Sequence, residues 1–167
     1  MDPKEKFISC QQIGWHKGFY HDKNLIDALG KVHFEDFLEV PDDDGFPYCT
    51  AHELLRGSCH IFSLGLQKVF GYTPYIIEGK NKRSFHSFCQ IYNSQKHIWY
   101  YIDARGVTTS FDEFMDVAKE FVSDEYTIRQ MNEDDIKELK KDDNYYEIAL
   151  DFAVAVIERY KEYYTVS

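Results

Sequence analysis

The sequence predicts an α+β fold: a helical N-terminal part, a central buried helix carrying Cys59 on a small antiparallel sheet, and C-terminal helices. Three observations predict it. Ile61, Phe62, Leu64, Leu66, Val69 and Phe70 leave little polar surface between Ser58 and Gly71, as a buried helix requires. Three runs rich in Tyr, Ile, Phe and Trp, namely Tyr72 to Glu78, Ser84 to Tyr92 and His97 to Asp103, are separated by polar turns. Near the end, Ile148, Phe152, Val156, Ile157 and Tyr160 fall on one helical face.

Leu25, Ile26, Leu29, Val32 and Phe37 recur at near-helical spacing across residues 23 to 38. Pro41-Asp42-Asp43-Asp44-Gly45 is a surface loop by composition. Thr50 and Glu53 form a capping-box pattern that opens a short helix. Ser58 is a suitable N-cap for the central helix, and Gly71 supplies its left-handed stop. After the three strand-like runs, Ser110 and Glu113 make a second capping box for a helix through about Val122. Tyr126 to Met131 reads as a further strand, followed by two helices, the last capped near Asp143 or Asn144.

The chain has 167 residues, 44% of them hydrophobic, enough for one domain with a substantial core. Its 19 basic and 29 acidic residues give a net charge of −10, spread along the chain, which argues against a nucleic-acid surface. The N-terminus lacks a secretory core, and no stretch approaches the roughly 20 apolar residues that cross a bilayer. A soluble, cytoplasmic protein is expected. Cys10, Cys49, Cys59 and Cys89 match no disulfide framework and no zinc signature, and are expected to be free thiols. His16, His21, His33, His52 and His97 show no ligand spacing, so neither metal nor cofactor is expected.

Cys59 begins the central helix, where unpaired N–H groups and the positive end of the helix dipole favour thiolate. Gly57 leaves the approach open, and the Cys59 N–H is a natural donor to an oxyanion. A hairpin turn centred on Ser94-Gln95 places Tyr92 across from His97, Phe88 from Tyr101, and His86 from Asp103, with Cβ atoms about 5 Å apart. A carboxylate so placed fixes the imidazole and leaves its other nitrogen for the sulfur. His60, one residue after Cys59, points about 100° away and reads as a satisfied polar group rather than the base. Cys89 faces opposite to His86 and packs in the core. Trp99 and Tyr101 share the His86 face; each is a packing residue or a wall of a substrate groove. Arg105 is either a solvated turn charge or a substrate-binding group. The Tyr-rich end, Tyr160 to Tyr164, is an association surface or an ordinary terminal helix.

Gly57-Ser58-Cys59 opening a helix, Phe85-His86-Ser87-Phe88 in a strand, and Tyr101-Ile102-Asp103-Ala104-Arg105-Gly106 ending the next resemble the transglutaminase-like branch of the papain-like cysteine-enzyme superfamily. The resemblance covers about residues 50 to 115. It implies a nucleophile, base and orienting acid at Cys59, His86 and Asp103, and attack on an amide or ester carbonyl through a thioester. The papain-type oxyanion glutamine has no clear counterpart: Glu53 stands nearby, and Gln11 or Gln12 would have to fold back to supply it. The alternative is a catalytically silent protein of this fold that binds or inhibits a protein partner. Either form involves a protein or peptide substrate or partner. Oligomeric state is not legible.

Overall fold

The computed structural model describes residues 25, 28–54, 58–79, 84–115 and 125–166. The fold is α+β, as the residue pattern predicts. Its centre is a five-stranded, wholly antiparallel sheet: β1 (Pro74–Gly79), β2 (Ser84–Asn93), β3 (Ile98–Asp103), β4 (Gly106–Thr108) and β5 (Tyr126–Gln130), in the order β4-β3-β2-β1-β5. Among the described residues the α-helices from Cys59 onward are α1 (Cys59–Phe70), α2 (Phe111–Met115), α3 (Glu133–Asp142), α4 (Tyr146–Arg159) and α5 (Lys161–Tyr164).

Helix α1 lies between sheet and helix. On one side its Ser63 meets Ser87 and Cys89 of β2: Ser87 Oγ donates to Ser63 Oγ at 2.9 Å, and Cys89 Sγ reaches Ser63 O at 3.5 Å. On the other side it packs on α4, whose buried face is Tyr146, Ala149, Phe152, Ala153, Val156 and Ile157. Gly65 permits that approach, because a Cβ there would lie 2.9 Å from Ile157 Cδ1 and 3.3 Å from Ala153 Cβ. The helix ends at Gly71 with φ 78°, a left-handed cap, as expected. Its last turn surfaces, with Gln67 and Lys68 exposed. Ser58 is its N-cap residue but makes no side-chain capping bond, contrary to expectation; the Ser58 N–H instead donates to Glu53 O at 2.8 Å.

In the N-terminal part Leu25, Ala28 and Leu29 are helical, and Leu25, Leu29 and Val32 are buried; Phe37 is half-buried and Ile26 lies outside the described residues. The Thr50–Glu53 pattern opens a 3-10 helix, Ala51–Leu54, rather than an α-helix, with Glu53 Oε2 accepting from the Thr50 N–H at 2.9 Å. Ser110 begins α2, accepting from the Glu113 N–H at 3.4 Å; the stretch toward Val122 lies outside the described residues beyond Met115. The last long helix starts one residue later than expected, with Tyr145 as N-cap, while Asp143 Oδ1 accepts from the Tyr145 N–H. Asn132 and Asp135 cap α3 reciprocally, and Arg129 ties β5 to it through two 2.7 Å bonds to Asp135.

The β2–β3 register differs from expectation by two positions. Tyr92 pairs with Trp99 and Cys89 with Ile102, so the pairings of Tyr92 with His97, Phe88 with Tyr101 and His86 with Asp103 are not formed. The cause is the loop. Asn93 pairs with Ile98, and Asn93 Oδ1 accepts from the N–H groups of both Gln95 and Lys96 at 3.0 Å, an Asx turn that needs four connecting residues. His97 closes it at φ 55°. A two-residue shift keeps every side chain on its predicted face. Thus His86, Phe88, Tyr101 and Asp103 still share the face opposite α1, covered by Phe114 and Phe111 of α2.

If Gly65 sets the α1–α4 spacing, larger side chains there strain it. Gly65→Val is expected to lower stability by about 1–3 kcal/mol, read as a depressed denaturation midpoint, whereas Gly65→Ala, met mainly by the mobile end of Ile157, is expected to cost less.

Candidate active site

The β2–β3 ladder stops at Cys89–Ile102. Beyond it, β3 turns back through Ala104 and Arg105 into β4, with Gly106 at φ 106° where a side chain would be strained. The segment of β2 before Cys89 therefore has a backbone edge open to the first turn of α1. Cys59 occupies that opening: the Ser87 N–H donates to its Sγ at 3.4 Å.

Two imidazoles act on the sulfur. His60 Nδ1 lies 3.5 Å from it, correcting the reading that placed His60 away from the site. The 100° step around the helix separates Cβ atoms, yet the ring turns back because its Nε2 is held by Ser84 Oγ at 2.7 Å. His86 acts on the same sulfur electrostatically, and its Nε2 lies 3.1 Å from Asp103 Oδ2, which leaves Nδ1 as the ring nitrogen not engaged by the acid. The structure therefore brings Cys59, His86 and Asp103 together, although His86 and Asp103 are diagonal rather than facing neighbours. Burial by itself would raise the Cys59 thiol, but His60 first and His86 second outweigh it and hold the thiol well below its ordinary range. Burial likewise opposes charge on His86, and the Asp103 hydrogen bond with the Cys59 contact lifts it to about 9. Both shifts act in the direction that favours thiolate beside imidazolium.

Asp103 has a second cation. Arg105 is fully buried, not the solvated turn charge or substrate group expected. Its Nη2 donates to Asp103 Oδ2 at 2.9 Å, its backbone N–H to Oδ1 at 2.9 Å, and Nη2 also to Phe114 O at 2.9 Å. The tight Asp103–Gly106 hairpin folds the guanidinium back onto its own strand's carboxylate. Although burial alone would raise Asp103, Arg105 and then His86 hold it far below the usual carboxylate range. The signal in the sequence is an Arg two residues after the acid in a Gly-closed turn.

The remaining candidates sort by position. Tyr101 is half-buried against Phe88, Phe111 and Phe114, a packing residue on the His86 face. Trp99 stacks near Tyr92 toward the far end of the hairpin, four residues and so about 13 Å from Asp103, and lines no part of this site. Cys89 sits in the core with its thiol pushed up by burial, as expected. Tyr164 is buried and donates to Ala104 O at 2.9 Å, so this part of the Tyr-rich end braces the β3–β4 turn rather than forming a surface. Gln11 and Gln12 lie outside the described residues. Glu53 is buried, with Oε2 accepting from the Cys49 and Thr50 N–H groups. Among the described residues, no three of His, Cys, Asp and Glu form a metal-holding group, and no helix is long and apolar enough to cross a membrane.

A cavity of about 370 Å³ adjoins the site, with His60, Ser58, Tyr48, Glu53 and Asp143 in its wall. Cys59 itself is only 7% exposed. No protein-family model, curated protein or solved structure matches the chain.

Removing Arg105 leaves a buried carboxylate with His86 as its remaining cationic side-chain partner. Arg105→Met is expected to cost about 3–5 kcal/mol, measurable by denaturant unfolding; a cost under about 1 kcal/mol would show that Asp103 does not depend on it.

Proposed function

We propose that the chain is a cysteine-nucleophile enzyme acting on an amide or ester carbonyl, with Cys59 as nucleophile, His86 as its imidazole partner and Asp103 as orienting acid. One observation carries the reading: the Cys59 sulfur accepts the Ser87 N–H and lies in the field of His86, whose Nε2 meets Asp103, which in turn is held by Arg105. A structural core cysteine needs none of this. Cys89, more deeply buried on the same strand as His86, lacks it and has a raised thiol. The chain order of the three residues, and their placement on a helix followed by antiparallel strands, agree with the transglutaminase-like resemblance.

In the proposed reaction Sγ attacks the carbonyl carbon, the C–S bond forms, and the C–N or C–O bond breaks as the leaving atom takes a proton from an imidazolium beside the sulfur. Water or an amine then attacks the thioester, returning a proton to that ring, and the C–S electron pair returns to sulfur. Amide hydrolysis on a protein or peptide substrate, in the cytoplasm, is the reading we favour among peptidase, deamidase and transglutaminase chemistry. The near-complete burial of Cys59, and a cavity whose wall includes His60 but not the sulfur, favour a second reading: a silent member of this fold that binds or inhibits a protein.

Alkylation separates them. Near pH 6.5 an ordinary thiol is about 1% thiolate, so iodoacetamide is expected to label Cys59 in the folded protein at least about tenfold faster than such a thiol, with His86→Gln slowing it. Labelling at the ordinary rate, unaffected by His86→Gln, would support the silent reading. The pH dependence has a defined sign. The ion pair requires Cys59 deprotonated, hence pH above its depressed value, and His86 protonated, hence pH below about 9. Turnover of an amide such as a 4-nitroanilide, whose leaving nitrogen must take a proton, is expected to fall as pH rises through about 9; a rate that climbs steadily past that point would contradict the pair.

A further inference from the structure

We propose that His60 is a second catalytic imidazole at Cys59, the one that exchanges protons with groups in the adjoining cavity, while His86 remains the buried counter-ion. The inference rests on the reading of Cys59 as nucleophile and adds a residue to it.

Accessibility divides the labour between the two rings. His86 is 3% exposed, with Nε2 taken by Asp103 and the ring set against Phe88 and Phe114. A leaving group or an attacking water has no described route to it. His60 is half-buried, stands in the cavity wall, and still holds Nδ1 3.5 Å from the sulfur. With Nε2–H donated to Ser84 Oγ, Nδ1 is the nitrogen free to trade a proton. The charged groups around the ring agree. Burial opposes its protonation and the imidazolium of His86 adds to that, but the Cys59 thiolate and, from α3, Asp135 raise it above the ordinary imidazole value. Glu53 and Asp143 add carboxylates to the same cavity wall.

In the proposed cycle Cys59 starts as thiolate with His60 as its protonated partner. As the adduct formed by Sγ collapses, the C–N bond breaks, and the leaving nitrogen keeps the electron pair and takes the proton from Nδ1. Water then gives a proton to Nδ1 as its oxygen bonds to the carbonyl carbon. The C–S bond breaks, its pair returns to sulfur, and the ring is again protonated. The sum is amide plus water to acid plus amine. Ser84 is a positioning residue in this scheme.

The test follows acetyl-Cys59 formed from 4-nitrophenyl acetate, whose leaving group needs no proton, by mass spectrometry of the intact protein. In His60→Gln, hydrolysis of the acetyl-enzyme is expected to slow by about a hundredfold, far more than acetylation, which loses only the help His60 gives to the thiolate. Ser84→Ala should slow hydrolysis in the same direction but less. His86→Gln should instead slow acetylation. Equal lifetimes of acetyl-Cys59 in wild type and His60→Gln would overturn the role of His60 alone, as would parallel loss of both steps in a variant that melts like wild type. Failure of wild type to acetylate at Cys59 would overturn the nucleophile, and His60 with it.

Discussion

The site is organised around a carboxylate that folding removes from water and gives to two cations. Desolvating an ionised carboxylate costs several kcal/mol unless close partners replace its hydration. Asp103 receives three kinds: the Arg105 guanidinium, the Arg105 backbone N–H and the His86 ring. Arginine stays charged at all relevant pH, so Asp103 stays ionised, and an ionised Asp103 draws the proton onto His86. The thiolate of Cys59 completes the alternation of charge from guanidinium to sulfur. None of the three proposed catalytic groups needs solvent to be charged, which is how they can be nearly sealed and still be ionic.

The backbone makes room for this chain of charges by ending a β-ladder early. Past Cys89 and Ile102 the strands part, and the first turn of α1 enters the gap with its sulfur against the Ser87 N–H. The β3–β4 hairpin both frees β2 from its neighbour and folds Arg105 inward. Tyr164 braces that turn from the C-terminal helix, and Phe114 lies over His86 and Phe88 while its carbonyl accepts from Arg105. Residues far apart in the chain thus converge on the stretch from Asp103 to Gly106.

Much of this was legible from residue pattern. The central helix from Cys59 to a Gly71 stop, the β-type runs and the last helix follow from apolar periodicity, which reports burial directly. The shared face of His86 and Asp103 was legible for a stronger reason than the register used to find it: side chains alternate with period two, so a slip of two positions, caused by the Asn93 Asx turn, changes the partner but not the face. What was not legible depends on side-chain reach. Sequence separation around a helix does not reveal that Ser84, on another element, pulls His60 back to the sulfur. Nor does it reveal that a short hairpin folds a charged Arg105 inward. β4 has only three residues, too few for a periodic signal. Ser58 was chosen by residue type, but the bonds it makes depend on the Glu53 carbonyl beside it.

The charge state of His86 is the most direct test of this account. Nitrogen-15 NMR of the imidazole, followed across pH in the wild-type chain and in Asp103→Asn, reads it without any substrate. An imidazolium is expected that persists through neutral pH and loses its proton near 9, reverting toward an ordinary imidazole when the carboxylate is removed. A neutral His86 ring at neutral pH, or one indifferent to Asp103→Asn, would contradict it.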